Sequence, residues 1–163
     1  MSGRVVILMG SKSDLDHVTS ITEVLDTFGI PYVRRVASAH KSVRHLLAIL
    51  EAYAAEAQPT VFVAVAGRSN ALAGMADANT TYPVITCPPL SSAFGGADIY
   101  SSLRMPGGVA PLVVLEPRAA ALAAAKILAL SDPDLRARIV TYQSGLLDDI
   151  VSADESLQQG GSL

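Results

Sequence analysis

Little besides packing is available to hold this chain together. Its 163 residues include one cysteine, Cys87, so no disulfide can form within it. That usage suits a reducing compartment and predicts a cytoplasmic protein. Tryptophan is absent and aromatic residues make up 5%. Charged residues amount to 17%, against roughly 25% in an ordinary globular domain. The net charge is −3, and lysine and arginine form no extended run. This leaves out the electrostatic footprint of a nucleic-acid binder. No stretch approaches the ~20 apolar residues of a membrane-spanning helix, and the first residues lack the apolar run of a signal peptide. No membrane partner is expected. Cys87 has no partner cysteine, and His17, His40 and His45 lack ligand spacing, so no metal site is expected.

What is present is apolar and alternating. Half of the residues are hydrophobic and the mean hydropathy is +0.39. With so few charges, this predicts more apolar surface than one subunit hides, hence a homo-oligomer. The length suits one domain. Val5–Met9, Tyr32–Val36, Val61–Val65, Pro83–Cys87 and Ala110–Leu115 read as strands. Between them, residues 14–28, 41–57, about 70–77 and 117–130 read as helices, and 91–104 as a loop and helix. Asp132-Pro133 opens a last helix striped by Leu135, Ile139, Tyr142, Leu146 and Ile150. The alternation predicts a three-layer α/β sandwich with a mostly parallel five-stranded sheet, flavodoxin- or Rossmann-like, plus a C-terminal helix. The expected organisation is a single domain over residues 1–155 and a frayed tail over 156–163.

Ligands of such sheets bind outside the carboxyl ends of the strands, which directs attention to three loops. The first is Gly10-Ser11-Lys12-Ser13-Asp14. Gly10 permits a tight turn, Ser11 or Ser13 can cap the following helix, and hydroxyls with free helix-terminal amides suit a phosphate. Asp14 would repel a phosphate and better suits sugar hydroxyls or an amine. The same residues also read as an ordinary capped helix start. Neither dinucleotide nor P-loop spacing is present. The second loop, Ser38-Ala39-His40-Lys41, puts an imidazole that titrates near neutral pH at a strand end, beside an ammonium that can hold an anion. A lone histidine can equally be structural. His17 and His45 lie within amphipathic helices and read as packed or solvated. In the third loop, Gly67 allows close approach, Arg68 offers a fork suited to carboxylate or phosphate, and Ser69 can cap. The alternative there is a surface arginine in a capped turn. Cys87 reads as a buried strand cysteine rather than a nucleophile.

Four segments recur in order: Met9-Gly10-Ser11-Lys12-Ser13-Asp14, Phe28-Gly29-Ile30-Pro31, Ser38-Ala39-His40 and Met105-Pro106-Gly107-Gly108. On them the chain resembles the PurE family of purine biosynthesis over residues 4–150. The family has two branches. The mutases carry Ser-Ala-His-Arg-Thr-Pro at the second loop and another histidine in the third. Here the second loop continues Lys41-Ser42-Val43, and the third reads Gly67-Arg68-Ser69-Asn70 with no histidine. These departures, with Pro83–Leu90 and Ser101–Arg104, resemble the carboxylase branch, like the carboxylase domain of the animal bifunctional enzyme. The resemblance implies 5-aminoimidazole ribonucleotide carboxylase activity in IMP biosynthesis: carbon dioxide added to C4 without ATP, biotin or metal, and no cofactor. The alternative is the class I mutase, which shifts a carboxylate from the exocyclic nitrogen to carbon. A non-catalytic binding module is a further reading.

The carried-over roles make His40 the catalytic proton acceptor. Gly10, Ser11, Ser13 and Asp14 would hold phosphate and ribose. Ser38 and Ala39 would line the substrate site, as would Gly67, and Lys41, Arg68 and Ser69 would hold carbon dioxide or the new carboxylate. Leu72 and Met75 would supply an apolar wall. Family members are homo-oligomers, tetramers or octamers, which implies that the last helix packs on a neighbour and that Met105–Gly108 completes the neighbour's site.

Overall fold

The computed structural model describes residues 2–160. β1 (Arg4–Met9) runs into a 3-10 turn, Lys12–Asp14, and then α1 (Leu15–Thr27). Next come β2 (Tyr32–Val36), α2 (Val43–Ala55), β3 (Thr60–Val65), α3 (Leu72–Asp77) and β4 (Val84–Thr86). A 3-10 segment, Ala93–Ile99, leads into α4 (Tyr100–Leu103), β5 (Leu112–Val113), α5 (Pro117–Leu128) and α6 (Pro133–Gly160). The strand order is β2-β1-β3-β4-β5, and every pairing is parallel. This is the expected α/β architecture, with a wholly rather than mostly parallel sheet.

The two faces follow from the period of two along a strand. In β1, Val5, Ile7 and Met9 join Val61, Val63 and Val65 of β3 in one core under α1, α5 and the start of α6. Val6 and Leu8 join Phe62 and Ala64 in the other, under α2 and α3. Both central strands are buried on both sides, so they read as continuous apolar runs. Ala120, Ala121, Ala124 and Ala125 are fully buried. Their small side chains let α5 lie close to the sheet and to α1. Glu116 caps α5 by accepting the N–H groups of Arg118 at 3.1 Å and Ala119 at 2.5 Å, with Pro117 at the first turn.

Three expectations change. β5 covers two residues rather than six, because it is an edge strand and Pro111 just before it has no N–H for a ladder. Within the 91–104 region the expected loop holds a 3-10 segment, Ala93–Ile99, broken at Phe94, Gly95 and Gly96, whose φ values of 51°, 63° and 80° are left-handed. α6 continues to Gly160, so residues 156–160 are helical rather than frayed, while 161–163 lie outside the described residues. α6 is about 42 Å long at 1.5 Å per residue. Leu135 and Ile139 are buried and Tyr142 stacks edge-on against Phe28 at 5.3 Å. Beyond them, Leu146, Leu147, Ile150 and Val151 are exposed. No helix among the described residues is long and apolar enough to cross a membrane.

Phe62 is fully buried between the rings of Tyr53 and Tyr82. Phe62→Ala is expected to lower unfolding free energy by about 3–5 kcal/mol, read from urea denaturation. A loss below about 1 kcal/mol would contradict this core assignment.

Candidate active site

The three loops converge because three strands are paired in register. Met9 is level with Val36 on one side and Val65 on the other. The ladder continues one residue further: Gly10 N–H donates to the Val65 carbonyl and Ala37 N–H to the Met9 carbonyl, each at 2.9 Å. A Cβ built on Gly10 would stand 3.2 Å from that of Ala66, so the glycine lets the first and third loops lie side by side.

Between them lies a cleft of about 540 Å³. Gly10, Ser11, Ser13 and Asp14 line it from the first loop, Ser38, Ala39, His40 and Lys41 from the second, and Gly67, Arg68 and Ser69 from the third. All eleven residues singled out from the sequence border this one space. Leu72 also lines it, but Met75 does not. Met75 instead packs against the core beneath α2 and α3. Ala66, which the sequence reading did not select, completes the wall; an alanine at a strand end gives no chemical signal.

The first loop is tied up internally more than its sequence suggests. Ser11 Oγ accepts the Ser13 N–H at 3.2 Å and sits 2.5 Å from Ser13 Oγ. Asp14 Oδ2 accepts the Ser11 N–H at 2.9 Å, which makes a capping box. Two amides expected to face an anion, those of Ser11 and Ser13, are therefore already matched within the loop. One Asp14 oxygen is committed to the cap. In the second loop, Ser38 Oγ accepts the Lys41 N–H at 3.2 Å, and Ser42 Oγ accepts the Ser38 N–H at 2.9 Å. This closes a turn that leaves His40 and Lys41 exposed. In the third loop, Arg68 is exposed and has a left-handed φ of 62°.

The other titratable candidates lie elsewhere. His45 is exposed on α2 and is not among the residues lining the cleft. His17 Nε2 is 3.4 Å from Cys87 Sγ. Burial holds the His17 imidazole below its ordinary value, and Cys87, Asp14 and Glu116 pull weakly the other way. The ring therefore stays neutral near pH 7 and offers no cation. Cys87 is fully buried, and burial, with Glu116, pushes its thiol up to about 12. That excludes a poised nucleophile and agrees with a packed strand-end cysteine. No cluster of three metal-ligating side chains occurs among the described residues.

The family model described as AIR carboxylase matches residues 4–148. The Archaeoglobus fulgidus protein named phosphoribosylaminoimidazole carboxylase is 54% identical over 155 residues, covering 95% of this chain and 85% of that one. The multifunctional protein ADE2 of Gallus gallus is 45% identical over 157 residues, 96% of this chain but 37% of that longer protein. The crystal structure of Treponema denticola PurE superposes with a TM-score of 0.93 at 45% identity, covering 95% of this chain and 98% of that one.

With the Cys87 thiol near 12, only about one molecule in ten thousand is thiolate at pH 8. Labelling of the folded protein by a disulfide-type thiol reagent at pH 8 is expected to run at least ~100-fold slower than in denaturant. Equal rates would contradict the burial.

Proposed function

The chain belongs to the AIR carboxylase family, and from that premise we propose that it carboxylates 5-aminoimidazole ribonucleotide at C4, in purine biosynthesis, using carbon dioxide directly. The observation that carries this is the single cleft shared by His40, the Ser11–Asp14 turn and the two cations Lys41 and Arg68. A histidine, an alcohol-lined turn and two cations are the parts this reaction requires.

The chemistry follows from the substrate. The exocyclic amine pushes electron density onto C4, so the ring is an enamine-like nucleophile that can attack carbon dioxide once the two are held together. A C–C bond forms, one C=O π pair moves to oxygen as carboxylate, and C4 briefly carries both hydrogen and carboxylate. His40 takes the C4 proton, the C–H pair returns to the ring, and aromaticity is restored. In reverse, the imidazolium returns that proton and carbon dioxide leaves. Lys41 and Arg68, with the Ser69 hydroxyl, stabilise the negative charge that develops on the new carboxylate. Ser11 and Ser13 hydroxyls hold the phosphate, and the uncommitted Asp14 oxygen accepts from ribose. Gly10, Ser38, Ala39 and Gly67 bring backbone close to the nucleotide, and Ala66 and Leu72 give carbon dioxide an apolar wall.

Direct use of carbon dioxide, rather than transfer from a carbamate, is favoured by the Gly67-Arg68-Ser69-Asn70 loop, which has no second histidine, and by Lys41 after His40. The similarity to part of a longer multifunctional animal protein points the same way. The protein acts as a homo-oligomer, a tetramer or octamer. The exposed Leu146, Ile150 and Leu157 of α6, together with Leu90 and Phe94, which line cavities adjoining the cleft at Arg68, support subunit contacts there. In that assembly the Met105–Gly108 turn completes a neighbour's site.

Three measurements test this. His40→Asn is expected to lower kcat by about 10²–10⁴-fold with little change in thermal midpoint, since His40 is exposed; full activity would rule out His40 as the base. Turnover of aminoimidazole ribonucleotide should rise with dissolved carbon dioxide or bicarbonate, whereas activity only with the carbamate isomer would assign the mutase. Sedimentation at micromolar concentration should show a tetramer or octamer, and a monomer would defeat the assembly.

A further inference from the structure

The loop that carries Arg68 and Ser69 does not hold its own shape. Arg68, with its φ of 62°, occupies a region that residues with a side chain seldom adopt and keep only where surrounding contacts enforce it. Besides a local bond from the Ala71 N–H to the Ser69 carbonyl at 2.9 Å, those contacts come from residues far away in sequence. The Ser101 hydroxyl lies 3.0 Å from the Arg68 carbonyl oxygen and 2.7 Å from that of Asp98, and it accepts the Asn70 N–H at 3.0 Å. The Asn70 side chain, 2% exposed, donates from Nδ2 to Thr86 Oγ1 at 2.7 Å and to Ser102 Oγ at 2.9 Å. Thr86 ends β4 and Ser102 lies in α4, and both are buried. One buried amide therefore links the Arg68 loop to the sheet and to α4 at once.

That amide is costly where it stands. Its Oδ1 is buried with no hydrogen-bond partner among the described residues, and an unmatched buried acceptor is destabilising. Asn70 also borders a second cavity of about 270 Å³ that shares Gly67 and Arg68 with the cleft and has both apolar walls, such as Pro88, Pro89 and Ile99, and the polar Ser91 and Asp98. The asparagine supplies a two-pronged hydrogen bond immediately after Arg68-Ser69, where the chain turns out of its left-handed conformation into α3.

We propose that Asn70 is a positioning residue: through Thr86 and Ser102, and with Ser101 at the Arg68 carbonyl, it fixes the Arg68–Ser69 loop so that these side chains meet the carboxyl group being formed. The inference rests on the function proposed above, and it assigns the network to the carboxyl end of the substrate only. The nucleotide's phosphate end, at Ser11 and Ser13, lies on a different loop that this network does not touch.

The test is steady-state kinetics on the full chain with aminoimidazole ribonucleotide and bicarbonate as the varied reactants, for wild type, Asn70→Leu, Ser102→Ala, Arg68→Ala and Asn70→Leu with Arg68→Ala. Asn70→Leu should lower kcat, or raise the bicarbonate requirement, by about 10–100-fold, while KM for the nucleotide stays within about threefold. Added to Arg68→Ala it should cost almost nothing further, because the side chain it positions is gone. Ser102→Ala should show the same split at about 3–10-fold, and it carries the test alone if Asn70→Leu does not fold. Unchanged kinetics in a folded variant, a parallel rise in nucleotide KM, or full multiplicative losses in the double variant would each overturn the inference. An inactive wild type would remove the proposed function and this inference together; an active wild type with unaffected variants removes only the inference.

Discussion

The in-register parallel pairing of β1 with β2 on one side and β3 on the other decides where everything else goes. With Met9 level with Val36 and Val65, the chain leaves three adjacent strands at one height, and whatever residues come next must share one space. Parallel strands need a crossover between them, and the helices that make it bury both faces of the sheet. Because the crossover after β1 leads to one neighbour and that after β2 to the other, the helices part above β1 and leave an opening there. The cleft is a consequence of topology before it is a consequence of any side chain.

Within that opening the polar groups are unequally constrained. The Ser11–Asp14 turn is fastened by its own capping box and the Ser38–Ser42 turn by paired serine contacts. Both are local devices, closed within five residues. The Gly67–Asn70 loop is different: its fastenings run to Thr86, Ser101 and Ser102, across β4 and α4. Two loops can thus form their shape with their own strand, while the third takes its shape only when the other half of the sheet is assembled. A left-handed Arg68 is tolerable in such a setting, because the surrounding structure rather than local preference selects it.

The remainder of the molecule serves packing. Alanines on α5 bring a helix close to β3 and β4, and an aromatic edge contact seats α6 on Phe28. From about Gln143 onward α6 has no core of its own to cover, yet keeps an apolar stripe. A low-charge chain of this size leaves apolar surface over in just such places, which is the physical sense of its composition.

Composition, the period-two and period-three-to-four patterns and the turn residues sufficed for the α/β class, all five strand positions and the six main helical regions. These are local properties, set by neighbours a few residues away. They also located all three loops and His40, because a strand end followed by glycine, serine or histidine marks itself. The true lengths of β5 and α6 were not legible, since an edge proline limits one and exposed packing surface says little about the other. Nor were the displacement of Met75 from the cleft or the hydrogen bonds of Asn70. Each of these depends on a partner chosen by three-dimensional assembly, 16 to 32 residues away in the case of Asn70, and hydrogen bonds over that separation leave no periodic trace along a chain. The sequence determined which chemistry was available, and the register of the sheet decided that it would meet in one place.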